Sequence, residues 1–252
     1  MLEAILWGLV QGLTEFLPIS SSGHLVLVPA ILDLDPPDLA TSAVLHLGTL
    51  VAVLVYFRAE VREIVRLTEQ GRLLLRLLIV GSIPAVVLGL LFESRLETIN
   101  DTPRAVAGFL IVAGLVFIAT RRLQPGRRTM ESSSMKDAFL LGLGQALALI
   151  PGVSRSGSTI STGLARGFDR AEAARYSFIL GIPVITGAGL LQFIELAGEE
   201  GGIDVSTLVG MAVAAVSGYA AIAVLLRLIR TTGLAPFGLY CVVAGTLAMF
   251  LV

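Results

Sequence analysis

Gln11-Gly12-Leu13-Thr14-Glu15-Phe16-Leu17-Pro18-Ile19-Ser20-Ser21-Ser22-Gly23-His24 interrupts an apolar stretch spanning residues 1–31. A helix that crosses a bilayer needs roughly 20 mostly apolar residues. Here the run is broken by Pro18 and then by the small polar residues 20–23. A second apolar stretch, 138–165, is broken in the same manner by Pro151-Gly152-Val153-Ser154-Arg155-Ser156-Gly157-Ser158-Thr159. Irregular backbone at membrane depth persists only where protein or water covers it. Both stretches are therefore expected to be re-entrant helix–loop–helix segments, each entering and leaving on one side.

The rest of the chain supports lipid as the solvent. Of 252 residues, 55% are hydrophobic and 15% charged, with a mean hydropathy of +0.88. A soluble domain of this length carries about a quarter charged residues. Six apolar runs suit transmembrane helices: 39–57, 73–92, 105–120, 177–196, 205–226 and 234–252. The fold class expected is all-α integral membrane, six transmembrane helices plus two re-entrant segments, in one membrane domain over 1–252. A net charge of −1 implies no basic surface for nucleic acid. Cys241 excludes an internal disulfide and reads as a buried small hydrophobe. The N-terminal stretch has no basic region and carries Glu3, so no secretory signal peptide is expected.

Basic residues in short loops mark the cytoplasmic side. Fifteen of the 18 Lys and Arg fall in 58–76, 121–136, 166–175 and 227–230, which share one face if the broken segments do not cross. The opposite face holds Arg95 and Arg104 but also Glu195, Glu199, Glu200 and Asp204. Both termini are then expected outside.

The two broken segments also resemble each other. With a shift of 134 residues, Gly8, Leu9 and Gln11 meet Gly142, Leu143 and Gln145, and Ser20, Ser22 and Gly23 meet Ser154, Ser156 and Gly157. Each is followed by three spans, an odd number, so the second copy is inverted. The expectation is an inverted-topology internal repeat, about 1–122 and about 136–252, joined by a basic cytoplasmic linker. Transporters share this architecture.

Ionisable residues at membrane depth are costly and point to function. Glu15, His24 and Arg155 are those inside the broken segments. Gln11 and Glu15, four apart, share a helix face, and Ser21 and His24, three apart, can meet on the next helix. One of Ser20, Ser21 and Ser22 can cap that helix. Arg155 offers a guanidinium fork suited to phosphate, beside the hydroxyls of Ser154, Ser156, Ser158 and Thr159 and the freed amides of a helix start. Opposed to it stands Glu15, and Mg²⁺ sites often combine one or two carboxylates with substrate phosphates. Carboxylate, arginine, histidine and serine together suit phosphoryl transfer. His46, in the first span with no motif around it, reads as an interhelical contact outside the site.

These motifs carry a family likeness. The stretch from Gln11 to His24 resembles the first signature of the BacA-type undecaprenyl-diphosphate phosphatases, and the stretch from Pro151 to Thr159 resembles the second. Length, span pattern and motif interval also match, over essentially the whole chain. The resemblance implies hydrolysis of a polyprenyl diphosphate to the monophosphate and phosphate, recycling the lipid carrier of cell-wall synthesis. It implies a plasma-membrane protein with a divalent cation, Mg²⁺ or Ca²⁺, and a site open to the outer face. By motif position Glu15 and Gln11 hold the cation, with Gln11 standing where many members have Glu. Arg155 binds the diphosphate. Ser154, Ser156 and Thr159 line the phosphate pocket, with Ser20 and Ser22 facing it. Ser21 and His24 are central to the chemistry, either as nucleophile and base or with His24 activating water.

Ser22-Gly23-His24 also resembles an element of the other lipid phosphatase superfamily, but its upstream Lys…Arg-Pro element and second histidine are absent. The rival functional class is a polyprenyl-phosphate flippase or transporter on the same inverted repeat. Small residues such as Gly181, Gly187 and Gly189 suit close helix packing, within a protomer or across a homodimer.

Overall fold

The first broken stretch folds into two helices, α1 (Leu2–Phe16) and α2 (Ser21–Leu32), in a computed structural model that describes residues 1–124, 126–197 and 205–252. The chain continues through α3 (Leu39–Tyr56), α4 (Arg58–Val65), α5 (Glu69–Asn100) and α6 (Pro103–Ala119). Then come α7 (Met135–Leu147) and α8 (Arg155–Ala165), the two halves of the second broken stretch, followed by α9 (Arg170–Ala197), α10 (Val205–Thr232) and α11 (Ala235–Leu251). Among the described residues there is no strand, only an isolated bridge between Arg128 and Phe168.

A helix stands at each of the six expected spans. By length and composition, among the described residues, Glu69–Phe92, Pro103–Arg122 and Val205–Thr232 can each cross a membrane. The pair Thr41–Tyr56 and Arg58–Val65, bent by 84°, would make a fourth. Helix α11, at 17 residues, is apolar but shorter. Glu199, Glu200, Asp204 and the side chain of Glu195, part of the expected acidic face, lie outside what is described. The molecule's surface is apolar as well: Leu90, Val216 and Phe250 are 73%, 73% and 84% exposed. Such a surface is that of a multi-pass membrane protein.

Several helices outrun their apolar windows. Helix α5 continues to Asn100 through the polar stretch expected to break at 93, and α9 begins at Arg170. Helix α4 occupies residues expected as a loop. Hydropathy reports the part of a helix that lipid covers. Residues such as Glu, Arg and Leu propagate the helix beyond that part, because their straight side chains lose little freedom in it.

Packing crosses between the halves of the chain. Helix α1 lies against α10, α7 against α5, and α6 against α11. A Cβ on Gly8 would stand 2.5 Å from the carbonyl oxygen of Gly210, and one on Gly142 would stand 2.3 Å from that of Gly81. Bare glycines thus let α1 and α7 seat backbone against backbone. In lipid this matters because no hydrophobic effect drives helices together; close van der Waals contact does. Cys241 is fully buried, as expected of a packing residue.

A cluster of ion pairs surrounds the linker between α6 and α7. Asp137, 2% exposed, closes a capping box with Ser134 at the start of α7. It receives Arg128 at 2.6 Å and Arg166 at 2.9 Å. Arg175 pairs with Glu60 at 3.1 Å and Glu131 at 2.7 Å. These contacts pin the basic linker to the turn between α8 and α9.

Candidate active site

Pro18 cannot continue α1 past its last turn, because a proline interior to a helix loses a hydrogen bond and clashes with the preceding turn. Three residues later α2 starts, with Ser20 as its N-cap: Ser20 Oγ accepts from the amide of Gly23 at 3.2 Å. In the second segment Ser154 Oγ accepts from the amide of Gly157, also at 3.2 Å. The caps bond likewise to Ser22 (3.3 Å) and to Ser156 (3.1 Å). Ser20 adopts φ 71°, a left-handed conformation that strains a residue with a side chain by about 1–3 kcal/mol.

Between the breaks lies a cavity of about 150 Å³, lined by residues that include Glu15, Ser20, Ser21, Ser22, Ser154 and Arg155. Glu15 is its centre. Its Oε1 accepts from Arg155 Nη2 at 3.1 Å. Its Oε2 accepts from Ser21 Oγ at 2.7 Å and from Gln11 Nε2 at 3.2 Å. Arg155 is held further by the carbonyl of Ser177, 3.2 Å from Nη1. Its guanidinium lies over Gly181, where a Cβ would come within 2.1 Å of Nη1. Residues 140 positions apart thus share one charged contact, with carboxylate and guanidinium only 7% and 12% exposed.

Other expected residues lie elsewhere. His24 does not meet Ser21. Its Nδ1 donates to the carbonyl of Ser20 at 2.7 Å, and its Nε2 lies 2.7 Å from the hydroxyl of Tyr240, whose ring stacks on it. A carbonyl can only accept, so Nδ1 carries the proton and Nε2 of the neutral ring accepts from Tyr240. The i, i+3 spacing allowed a contact with Ser21, but the bend at Ser20 turns the ring back along its own helix. His24 braces the strained turn, and it lines a separate apolar groove with Leu13, Phe237 and Tyr240.

Ser156 and Thr159 are also not on the cavity wall. Both are fully buried behind it. Ser156 donates to the carbonyl of Leu17 at 3.2 Å, tying the second segment to the first. Thr159 bonds to the Arg155 carbonyl at 2.7 Å and to the Ser177 hydroxyl. Gln11 likewise sits behind Glu15, fully buried, with its Oε1 lacking a partner among the described residues.

Sequence reading missed His46. The ring lines the same cavity, with Nδ1 donating to the carbonyl of Ser42 at 2.8 Å. An imidazole in an apolar span was itself the signal. Ser177 and Tyr240 were missed too, for they lie far along the chain in stretches without a motif.

Among the described residues no group of three or more His, Cys, Asp and Glu could by itself hold a metal ion. One carboxylate, Glu15, faces the cavity, with the unpartnered oxygen of Gln11 behind it. A cation in this place would draw its remaining ligands from a bound phosphate, the arrangement Mg²⁺ commonly adopts.

A wider vestibule of about 550 Å³ shares Ser21, Ser22 and His46 with the cavity and reaches Asn100 and Asp101 at the turn between α5 and α6. Its wall is largely apolar, including Leu25, Val26, Pro29 and Leu34.

Comparison with known proteins places the chain among relatives along its whole length. A relative from Halothermothrix orenii named undecaprenyl-diphosphatase is 39% identical over 99% of this chain and 97% of its own. Proteins of that name from Methanosphaera stadtmanae and a Nocardioides species are 39% and 43% identical over 100% of this chain, covering 98% and 96% of theirs. The family model described as bacitracin resistance protein BacA matches residues 4–247, a span containing both broken segments and the cavity between them, and the chain belongs to that family.

Proposed function

We propose that this protein hydrolyses undecaprenyl diphosphate, or a similar polyprenyl diphosphate, to the monophosphate and inorganic phosphate. One observation carries the reading: Ser21, Glu15 and Arg155 converge on one cavity from two broken helical segments. The names of the relatives favour hydrolysis over a flippase.

Ser21 is the nucleophile for the terminal phosphorus. Its hydroxyl already donates to Glu15, so the carboxylate is the base that takes its proton. This replaces the expected Ser21–His24 pair. Arg155 neutralises charge developing on the phosphoryl oxygens. The N-termini of α2 and α8, both opening on the cavity, add their amide dipoles to the anion site. A divalent cation, drawn chiefly to the diphosphate oxygens with Glu15 and Gln11 beside them, would supply further neutralisation of the diphosphate. Shared Ser21 and Ser22 make the vestibule the route by which the diphosphate arrives, its first prenyl units against the apolar wall. In this reading both termini and the vestibule mouth lie on the outer side of six spans arranged as two inverted repeats, an arrangement that the distribution of basic loops supports. The reciprocal seating of Gly8 on Gly210 and Gly142 on Gly81 supports that symmetry.

Purified protein in detergent, given a polyprenyl diphosphate with Mg²⁺ or Ca²⁺, is expected to release phosphate. Arg155→Ala should lower kcat by about 10²–10³, the effect of removing a charge-stabilising donor. Chelation should stop the reaction until cation is restored. Absence of phosphate release with every cation tried would overturn the reading.

A further inference from the structure

Phosphoryl transfer to Ser21 is half of a reaction. The phosphoserine must then be opened by water, and that water needs a group to accept its proton. Glu15 is occupied, since it holds the proton taken from Ser21. His24 is occupied too, with both ring nitrogens hydrogen-bonded to Ser20 and Tyr240.

His46 differs from His24 in one respect. Its Nδ1 is likewise fixed by a carbonyl one helical turn back, at 2.8 Å from Ser42. That bond sets the tautomer, with the proton on Nδ1 and a lone pair on Nε2. Among the described residues Nε2 has no hydrogen-bond partner. The ring lines both the cavity and the vestibule, so it stands at the junction where solvent enters as the prenyl monophosphate leaves. Around that junction stand Glu15 from α1, Ser21 and Ser22 from α2, Arg155 from α8 and Asp101 from the turn between α5 and α6. Glu15 and Arg155 are paired with each other, Ser21 and Ser22 are hydroxyls, and Asp101 lines the vestibule but not the cavity.

We propose that His46 is a further catalytic residue: its Nε2 accepts the hydrogen bond of the water that cleaves the phosphoserine, and then that water's proton. The assignment rests on the phosphatase reading with Ser21 as nucleophile. In the first step Ser21 Oγ bonds to the terminal phosphorus and its proton passes to Glu15. The bridging P–O bond breaks, and its electron pair stays on the prenyl monophosphate. In the second step the water oxygen bonds to phosphorus and its proton passes to His46 Nε2. The P–Oγ bond breaks, and Oγ recovers the proton from Glu15. His46 releases its proton through the vestibule with the phosphate, and enzyme and tautomer are restored.

The test is rapid-quench labelling of the full chain in detergent, with substrate carrying ³²P in its terminal phosphate. Wild type should turn over with little label on the protein. His46→Leu should give a burst of acid-stable label on the protein, with steady-state release slower by about 10² or more, the usual worth of a positioned proton acceptor. The label should vanish in the double variant with Ser21→Ala. His46→Gln, whose amide oxygen still accepts the water's hydrogen bond but not its proton, should be intermediate in rate and also labelled. Thermal unfolding of each variant reports whether it is folded, and His46→Gln carries the test if His46→Leu is not. Turnover of a folded variant at the wild-type rate overturns the proposal. So does slow turnover without covalent label. Failure of wild type itself to release phosphate is a separate result, and it sinks the phosphatase reading.

Discussion

Glu15 accepts from three side chains, and the chemistry of the cavity follows from that crowding. Its pairing with Arg155 takes place with both groups almost shielded from water. Breaking such a pair by removing one partner leaves an uncompensated charge, at a cost of about 3–5 kcal/mol. Arg155→Met is therefore expected to lower stability as well as activity. The double variant Glu15→Gln/Arg155→Met should regain most of the stability and none of the activity, a difference that chemical denaturation and phosphate release would resolve. Gly181 allows a cleaner separation. A methyl group there would meet the mobile end of Arg155 rather than backbone, so the guanidinium must move while the fold accommodates it. Gly181→Ala should lower the melting temperature less than Arg155→Met does, because the charge stays within reach of Glu15, and should raise KM, lower kcat, or both. Unchanged kinetics would show that the guanidinium position over Gly181 is immaterial.

At the scale of the elements, the two broken segments are built by the same local chemistry. A serine cap binds the amide three residues on and a second serine hydroxyl two residues on, in both. That much follows from spacing, because an N-cap side chain reaches the amide of the third residue wherever a helix begins. What differs is the residue after the cap. Ser21 points its hydroxyl at Glu15, whereas Arg155 reaches the same carboxylate from across the cavity. The glycines that seat α1 and α7 are a second shared device. Gly142→Ala would drive a methyl group against the Gly81 carbonyl, which as backbone cannot swing aside. Overpacking of this kind should destabilise by about 1–3 kcal/mol, and Gly8→Ala should behave alike against Gly210. Unfolding in detergent is the measurement, and a neutral result for both would remove the case for backbone seating.

Taken as a whole, the molecule is held by close apolar packing, by the buried Glu15–Arg155 pair and by a second set of charged contacts around Asp137. Asp137 anchors the linker, and Arg128, hydrogen-bonded to it, holds its carboxyl well below the usual carboxylate range, helped by Ser134 and Arg166. A group whose folded value is depressed stabilises above its unfolded value, near 3.9 for Asp, and that contribution is lost as pH falls below it. The wild type should therefore lose stability on acidification from about pH 4 downward. Asp137→Asn should be less stable than wild type at pH 7 and should show a smaller loss over the acid range. Melting curves from pH 7 to pH 3 would show the two profiles converging; parallel profiles would contradict the anchoring role.

Much of this architecture was legible in order along the chain. Interruptions by Pro18 and Pro151, apolar runs between them and the 134-residue match are properties of consecutive residues, and helices obey them because each backbone bond in lipid must be satisfied locally. The meeting of Glu15 and Arg155 was also expected, since ionisable residues at membrane depth must find one another, whereas Ser21 was expected beside His24 and donates to Glu15 instead. Sequence could not say which way a ring turns. His24 and His46 each sit where a helix carbonyl fixes one nitrogen, and only packing decides whether the other meets a Tyr240 hydroxyl or an open cavity. Sequence by itself determined the broken helices and the charged groups they carry. The tertiary structure alone decided which hydroxyl, carboxylate and imidazole face the same 150 Å³, because that depends on contacts between residues with no proximity in the chain.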